Sequence, residues 1–252
     1  MSQKRYKILA VEQENSFTKT LTLDCNDAVM PGQFYMVWVP GVGQKPFSVS
    51  GAKPLQFSIA DVGPVSKEID SKKPGDYLWL TGPYGNTFKL NGKKAVMIGG
   101  GYGTGPMRYL CMLAVQNGIT PNLVIGARSK DRLMKHPASV KTFLCTDDGS
   151  EGRKGFVTDA LAEILKNEKI DAIYACGPEK MMQAIGKAAK GQGIFCQLLL
   201  ERYMKCGFGM CGQCSCGESL ICVDGPVYGL EILDNPEFGK FHRDASGRKV
   251  NL

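Results

Sequence analysis

KKAVMIGGGYGTGPMRYLCMLAVQNG, residues 93–118, decides the architecture. Ala95 to Ile98 form a short unbroken apolar run, the mark of a parallel strand buried on both faces. Five glycines follow within seven positions, Gly99 to Gly105. Met107, Leu110, Cys111 and Ala114 then fall at helical spacing, and Gly118 is placed to stop the helix. Pro106 suits a first helical turn, where its missing N–H costs nothing. Glycines between strand and helix let a backbone approach a pyrophosphate, while the helix start offers N–H donors. The spacing Gly101-x-Gly103-x-Gly105 departs from the dinucleotide fingerprint G-x-G-x-x-G, and a tight turn is the plain alternative. Five glycines exceed what one turn needs, so Gly100, Gly101, Gly103, Thr104 and Gly105 are expected to hold a cofactor.

The alternation continues downstream. Strands NLVIGARS (122–129), KTFLCT (141–146), DAIYACG (171–177) and IFCQLLL (194–200) are interleaved with helices VTDALAEILKN (157–167) and PEKMMQAIGKAAKG (178–191). Five strands with helices between them predict a doubly wound parallel sheet over residues 93–200. Cys176-Gly177-Pro178 closes the fourth strand, at the carboxyl edge where such sheets bind ligands. Gly177 would leave room for a flat ring, although the tripeptide also reads as a plain strand–helix junction. Asp147-Asp148-Gly149 reads as a turn. Arg128, Lys130 and Arg132 follow the second strand and suit a 2′-phosphate or plain solvated charge equally, which leaves NAD against NADP open.

Upstream, residues 1–92 read as strands: TLTLDC (20–25), FYMVWV (34–39), FSVS (47–50), LQFSIADV (55–62) and DYLWLTG (76–82). Gly and Pro punctuate them, which predicts a small antiparallel β-barrel. Lys45-Pro46-Phe47-Ser48-Val49 opens one strand. Its cation, rigid proline, aromatic ring and hydroxyl could line a flavin and its phosphates, against the plainer reading of a strand that begins at proline. Gly63, Val65 and Ser66 precede a helix-like stretch and suggest an anion-binding helix start with Ser66 as N-cap.

Residues 201–252 hold the densest signal. Cys206, Cys211, Cys214, Cys216 and Cys222 lie within 17 positions, threaded with glycine. Four of them, Cys206, Cys211, Cys214 and Cys222, are spaced C-x4-C-x2-C-x7-C, whose first three cysteines match the plant-type [2Fe-2S] pattern. Structural zinc usually wants paired knuckles, and only Cys211–Cys214 or Cys214–Cys216 could serve as one, so spacing favours the cluster. Cys216 reads as a spare thiol that could replace Cys222. The loop is too short and glycine-rich for a core of its own, and residues 229–252 read as a tail without assigned structure.

The whole chain sets bounds. Its 252 residues allow one large domain or two modest ones. No apolar run approaches the ~18 residues of a membrane span. MSQKRYKILAVEQEN lacks the apolar region of a secretory signal, so a cytoplasmic protein with reduced thiols is expected. Net charge is +7, yet no basic stripe interleaves with aromatics, so nucleic-acid binding is unsupported. A mildly basic surface suits phosphate-bearing cofactors or an acidic partner. His136 and His242, the only histidines, are given no catalytic role.

Together, the Lys-Pro-Phe-Ser strand, the GGGxGxGP turn and the later CGP resemble the ferredoxin reductase family of flavoproteins. That resemblance implies FAD on the barrel and a nicotinamide nucleotide on the α/β domain. Lys45 departs from it, since the family usually has arginine there, which grips phosphate with a planar fork. With ERYMKCGFGMCGQC and ICVDGPV added, nearly the whole chain resembles the electron-transfer subunits of NAD-linked dihydroorotate dehydrogenases. Many of those have a longer insert between the third and fourth cysteines. The resemblance implies FAD, a [2Fe-2S] cluster, NAD as substrate, and an FMN-containing dihydroorotate dehydrogenase catalytic subunit in a heterotetramer. Similar subunits serve sulfhydrogenases, sulfite reductases and ferredoxin-dependent NADP reductases. A zinc-stabilised nucleotide-binding protein without redox activity is the rival from another class. The expected fold is therefore β plus α/β: barrel over 1–92, five-stranded parallel sheet over 93–200, and an iron–sulfur region over 201–252.

Overall fold

The computed structural model describes residues 2–252. Six strands build the N-terminal sheet: β1 (Lys4–Gln13), β2 (Thr18–Leu23), β3 (Phe34–Val39), β4 (Gly43–Ser48), β5 (Gln56–Ala60) and β6 (Tyr77–Tyr84), in the order β4-β3-β6-β1-β2-β5. All pairs are antiparallel. The sheet curls around Ile8, Leu21, Leu23, Val37, Phe57 and Leu80. Its two edges, β4 and β5, are not hydrogen-bonded to each other, so the expected barrel is open. Helix α1 (Pro64–Asp70) packs into the sheet through Val65 and Ile69.

Three local expectations are corrected here. The strand placed at 47–50 runs from Gly43 to Ser48, which leaves Val49 beyond its end and buried in the core. Strand β1 was not singled out, because only Ile8 along its ten residues is buried and no alternation marks it. Helix α1 starts at Pro64 rather than after Ser66. Pro64 occupies the first turn, and the Ser66 hydroxyl reaches back to accept from the N–H groups of Val62 and Gly63, both at 3.0 Å.

The second sheet holds β7 (Lys94–Gly100), β8 (Thr120–Ala127), β9 (Lys141–Thr146), β11 (Ala172–Cys176) and β12 (Phe195–Leu199), all parallel, as expected. Two-residue strands extend its edges, β10 (Arg153–Lys154) beside β9 and β15 (Val227–Tyr228) antiparallel to β12. The order β10-β9-β8-β7-β11-β12-β15 makes seven strands rather than five. Helix α2 (Thr104–Gln116) buries Met107, Leu110, Cys111 and Ala114 on one face of the sheet. Helices α3 (Val157–Asn167) and α4 (Glu179–Gly191) bury Leu161, Ile164, Met182 and Ile185 on the other. Gly118, at φ +74°, ends α2 as predicted.

Because β15 lies in residues 201–252, the cysteine region is stitched into the α/β sheet. Cys214, Cys216, Ile221 and Cys222 share one core with α4 and with Phe34 and Met36 of β3. Between them run β13 (Ser215–Cys216), β14 (Ser219–Leu220) and the short helix α5 (Ile221–Asp224). The tail is ordered too, as a 3₁₀ turn over Leu230–Asp234 and a hairpin of β16 (Phe241–Arg243) and β17 (Lys249–Asn251). Sheet and barrel are locked together by Arg108 of α2, which forks onto Glu14 at 2.7 and 2.9 Å. The Tyr109 hydroxyl adds a bond to the Val29 carbonyl at 2.8 Å. No helix among the described residues is long and apolar enough to cross a membrane.

Candidate cofactor cleft and cysteine loop

A cavity of ≈ 990 Å³ lies between the barrel and the carboxyl edge of the parallel sheet. Lys45, Pro46, Phe47, Ser48 and Ser66 line its barrel side. Gly100, Gly101, Gly103, Cys176, Gly177 and Pro178 line the opposite side. The structure thus brings the motifs of three separate sequence regions to one cleft. Val49, Gly63, Val65, Thr104 and Gly105 do not line it. Thr104 is fully buried, and its hydroxyl has no hydrogen-bond partner.

The glycine turn divides its work. Gly101, at φ +56°, has nothing within 4 Å of where a Cβ would stand, so its backbone faces open cleft. At Gly103 a Cβ would come within 2.5 Å of the Cys176 carbonyl oxygen, and at Gly105 within 2.8 Å of Ser58. Those two are required by packing against the neighbouring loop and the barrel. Gly177 holds φ +155°, and a Cβ there would lie 3.0 Å from the Gly100 α-carbon. The two strand ends therefore pack closely there, with Met181 against both glycines.

Other cleft residues carried no sequence motif. Glu201 follows β12 at the head of the cysteine region and opens onto the cleft. The surrounding protein pushes its carboxyl up, opposed by the Tyr102 hydroxyl and the Lys45 ammonium. The Glu201 carboxylate in turn pushes the Tyr102 phenol up. Burial, then the Glu201 charge, pushes the Cys176 thiol up as well, so that thiol stays protonated. Phe156, 66% exposed, offers its ring at the far end of the cleft beside Arg128 and Asp147. Lys130 is paired with Glu151 at 2.9 Å, and Arg132 stacks on Phe17 at 4.2 Å, so only Arg128 of the three cations lines the cleft. The Asp148 carboxylate accepts from the Ser150 amide at 2.9 Å, the turn expected there.

The cysteine loop lies on the outer face of the same strand pair whose edge lines the cleft. The Gln44 side chain of β4 donates to the Lys205 carbonyl. Gly207 packs so close to β3 that a Cβ would come within 2.6 Å of Met36 Cγ. Within the loop the thiols approach two by two, Cys206 with Cys211 and Cys214 with Cys222. Burial alone would push the Cys206 thiol up, but the amides of Phe208, Cys211 and Met210 and the Cys211 thiol bring it down to about 6. The Gly209 N–H donates to Cys222 Sγ at 3.2 Å, while burial and the Cys214 thiol push Cys222 up to about 12. Backbone amides aimed at sulfur suit thiolate ligands of a cluster. Among the described residues no three His, Cys, Asp or Glu side chains are placed to hold a single metal ion.

Cys216 is turned away from these pairs. Its sulfur lies 3.2 Å from Arg202 Nη2 and 3.5 Å from Asn235 Oδ1. Arg202 forks onto Glu179, Nε–Oε1 2.8 Å and Nη2–Oε2 2.9 Å, and also donates to the Phe241 carbonyl at 2.6 Å.

Comparison with known proteins agrees with this geometry. The family described as the iron-sulfur cluster binding domain of dihydroorotate dehydrogenase B matches residues 201–234, and the oxidoreductase NAD-binding domain matches residues 97–187. A curated Methanocaldococcus jannaschii protein, described as a probable dihydroorotate dehydrogenase B (NAD(+)) electron transfer subunit, is 40% identical over 250 residues, 97% of this chain and 96% of that one. A Pyrococcus horikoshii protein of the same description is 42% identical, covering 88% of each. Among solved structures, that of an NADH-dependent reduced ferredoxin-NADP oxidoreductase, studied for flavin-based electron bifurcation, matches with a TM-score of 0.81 at 27% identity, over 90% of this chain and 88% of that one. The ferredoxin reductase of carbazole 1,9a-dioxygenase, 23% identical with a TM-score of 0.67 over 77% of this chain and 66% of that one, shares the fold.

Proposed function

Because this chain belongs to the family of dihydroorotate dehydrogenase B electron transfer subunits, we propose that it passes electrons from a dihydroorotate-oxidising FMN subunit, through a [2Fe-2S] cluster and FAD, to NAD⁺. One observation carries the reading. The β3–β4 pair has its edge in the cleft, at Lys45 to Ser48, and its outer face under the cysteine loop, at Gln44 and Met36. A flavin and a cluster would thus stand on two sides of one strand pair.

The residues fit the groups. Lys45 and Ser48 supply a cation and a hydroxyl for the FAD phosphates, and Pro46 and Phe47 supply apolar surface. The Gly63–Ser66 turn supports that edge of the site. Gly101 opens its backbone to a dinucleotide, with Gly100 and Gly103 lining the cleft beside it and Thr104 and Gly105 packed behind. Cys176, Gly177 and Pro178 receive the nicotinamide ring. The adenosine end reaches toward Arg128 and Phe156. Cys206, Cys211, Cys214 and Cys222 are the cluster ligands, and Cys216 is not one. FAD, when bound, supplies hydride exchange with the nicotinamide and single-electron exchange with the cluster. The protonated Cys176 thiol puts no anion beside the ring.

The partner is an FMN-containing catalytic subunit, and two copies of each chain assemble as a heterotetramer. All ten cysteines are free, which suits a reducing cytoplasm. The test is anaerobic dihydroorotate oxidation by the co-expressed complex. The reading expects NADH formation with both subunits together, lost in Cys222→Ser while NADH reduction of ferricyanide by the flavin persists. NADH formation that survives loss of the cluster would contradict it.

A further inference from the structure

Resting on the reading above, we infer that the dihydroorotate-oxidising subunit docks on one aromatic strip, which runs from the cysteine loop to a tryptophan pair on the outer face of the barrel. The strip follows from register. Trp38 of β3 stands opposite Trp79 of β6 and opposite Gln44 of β4, while Trp79 stands opposite Arg5 of β1. Residues directly opposite in an antiparallel sheet share a face. Gln44, Trp38, Trp79 and Arg5 are therefore one row, and the alternate residues Val37, Leu78 and Leu80 fill the core. The two indoles meet edge to face at 5.9 Å and 78°. Both remain partly open to solvent, and they are the only tryptophans in the chain.

The row is continuous with the cysteine loop. Gln44 holds the Lys205 carbonyl, and Met36, two residues along β3 on the same face, lies under Gly207. Beyond it the loop exposes Phe208, Met210 and Val223, at 52, 78 and 55%. Cys211, itself exposed, follows Met210 directly. Beside the indoles lies a groove of ≈ 200 Å³ between Trp38, Trp79 and Tyr77, deep enough for one anchoring side chain. A contiguous apolar patch marks an interaction site, and Trp, Tyr and Arg are the types that concentrate binding energy.

Charge selects the occupant. Arg5 and Lys7, on the same face as Trp79 and Tyr77, and Lys205 are exposed around the strip, and the one acid lining the groove, Glu68, is paired with Lys72 at 2.7 Å. A second copy docked through a two-fold axis would bring these cations against themselves. The fitting partner has an apolar centre with an Asp/Glu rim. Seated here, its redox centre meets the loop at the exposed cluster cysteine, where an electron has the shortest path.

The experiment labels this chain alone with 5-fluorotryptophan and adds the purified, unlabelled dihydroorotate-oxidising subunit under anaerobic conditions. Both fluorine resonances should shift or broaden on complex formation. Trp79→Ala and the surface change Arg5→Glu should each weaken the complex at least tenfold by sedimentation. Ferricyanide reduction by NADH in the isolated variants should stay within twofold of the parent, which shows that they are folded and loaded. Unmoved resonances in a formed complex, or variants that bind like the parent, would overturn the docking face while leaving the electron-transfer reading intact. Self-association of the isolated chain that Trp79→Ala abolishes would assign the strip to a second copy and also overturn it. If the parent neither reduces ferricyanide nor supports dihydroorotate-driven NADH formation, both fall.

Discussion

Arg202 and Glu179 form a buried fork, 2.8 and 2.9 Å, between the residue after the cleft-lining Glu201 and the first residue of α4. Glu179 follows Pro178, so the pair fastens the Cys176–Pro178 wall of the cleft to the start of the cysteine region. Arg202 also holds the Phe241 carbonyl, and the Gly239 amide donates to Glu179 at 2.9 Å. Removing one partner of such a pair leaves an uncompensated buried charge. Arg202→Ala should therefore cost on the order of 3–5 kcal/mol, less what Glu179 recovers by taking up a proton. Thermal melting with iron retention as a second readout checks this. Cluster loss should accompany the fall in melting temperature. A variant with unchanged melting and full iron would show that the fork holds nothing.

The second ion pair, Arg108 with Glu14, joins α2 to the barrel, and it predicts a pH dependence. Burial would raise the Glu14 carboxyl, but Arg108 and the Thr20 hydroxyl outweigh it and hold its pKa below the usual 4.5. A depressed carboxylate contributes stability that is complete above 4.5 and is lost as pH falls through the folded value. Glu14→Gln should lose roughly 2–3 kcal/mol at pH 7, the range for charge-assisted hydrogen bonds. The gap between parent and variant should close as the melts are taken below pH 4.5. A gap that widens on acidification would reverse the assignment.

Gly177 tests the nicotinamide wall. An alanine methyl there meets Met181 Cε at 2.7 Å and the Gly100 α-carbon at 3.0 Å, in a backbone region L residues avoid. Gly177→Ala should keep its FAD but lose on the order of 10²-fold in kcat/KM for NADH, as small misplacements of a reacting ring do. Bound-flavin absorbance and ferricyanide kinetics read the two effects separately. Equal loss of flavin and of activity would place Gly177 in the fold rather than the site.

Lys45 tests the flavin edge. Its ammonium lies 5.5 Å from the Tyr203 ring centre and faces the cleft. Lys45→Ala should weaken FAD roughly 10- to 100-fold, the worth of one charge-assisted hydrogen bond. Lys45→Arg should restore or tighten binding through its planar fork. Fluorescence titration of the apoprotein with FAD measures both. Arginine binding no better than alanine would remove Lys45 from the phosphates.

What the sequence revealed and what it hid have physical causes. The parallel strands were legible because Ala95 to Ile98 and their counterparts are buried on both faces and read as unbroken apolar runs. Strand β1 was not, since Ile8 is its one buried residue. The cleft motifs were legible because glycine and proline leave marks at fixed offsets. Tyr102 and Phe156 left none, as a single aromatic in a loop has no period, and Glu201 was marked only by its place just before the cysteine loop. The Arg202–Glu179 fork joins residues 23 apart on different elements, and no local pattern announces it. The tail hairpin was hidden for a similar reason, with strands of three residues each.

The account's central claim is that one compact chain holds flavin and cluster close enough for electrons to pass. The direct measurement is rapid-freeze EPR after NADH is mixed anaerobically with the isolated chain. The account predicts a reduced [2Fe-2S] signal within the turnover time in the parent and in Cys216→Ser, and none in Cys222→Ser. A parent chain whose flavin is bleached by NADH while its cluster stays oxidised would contradict it.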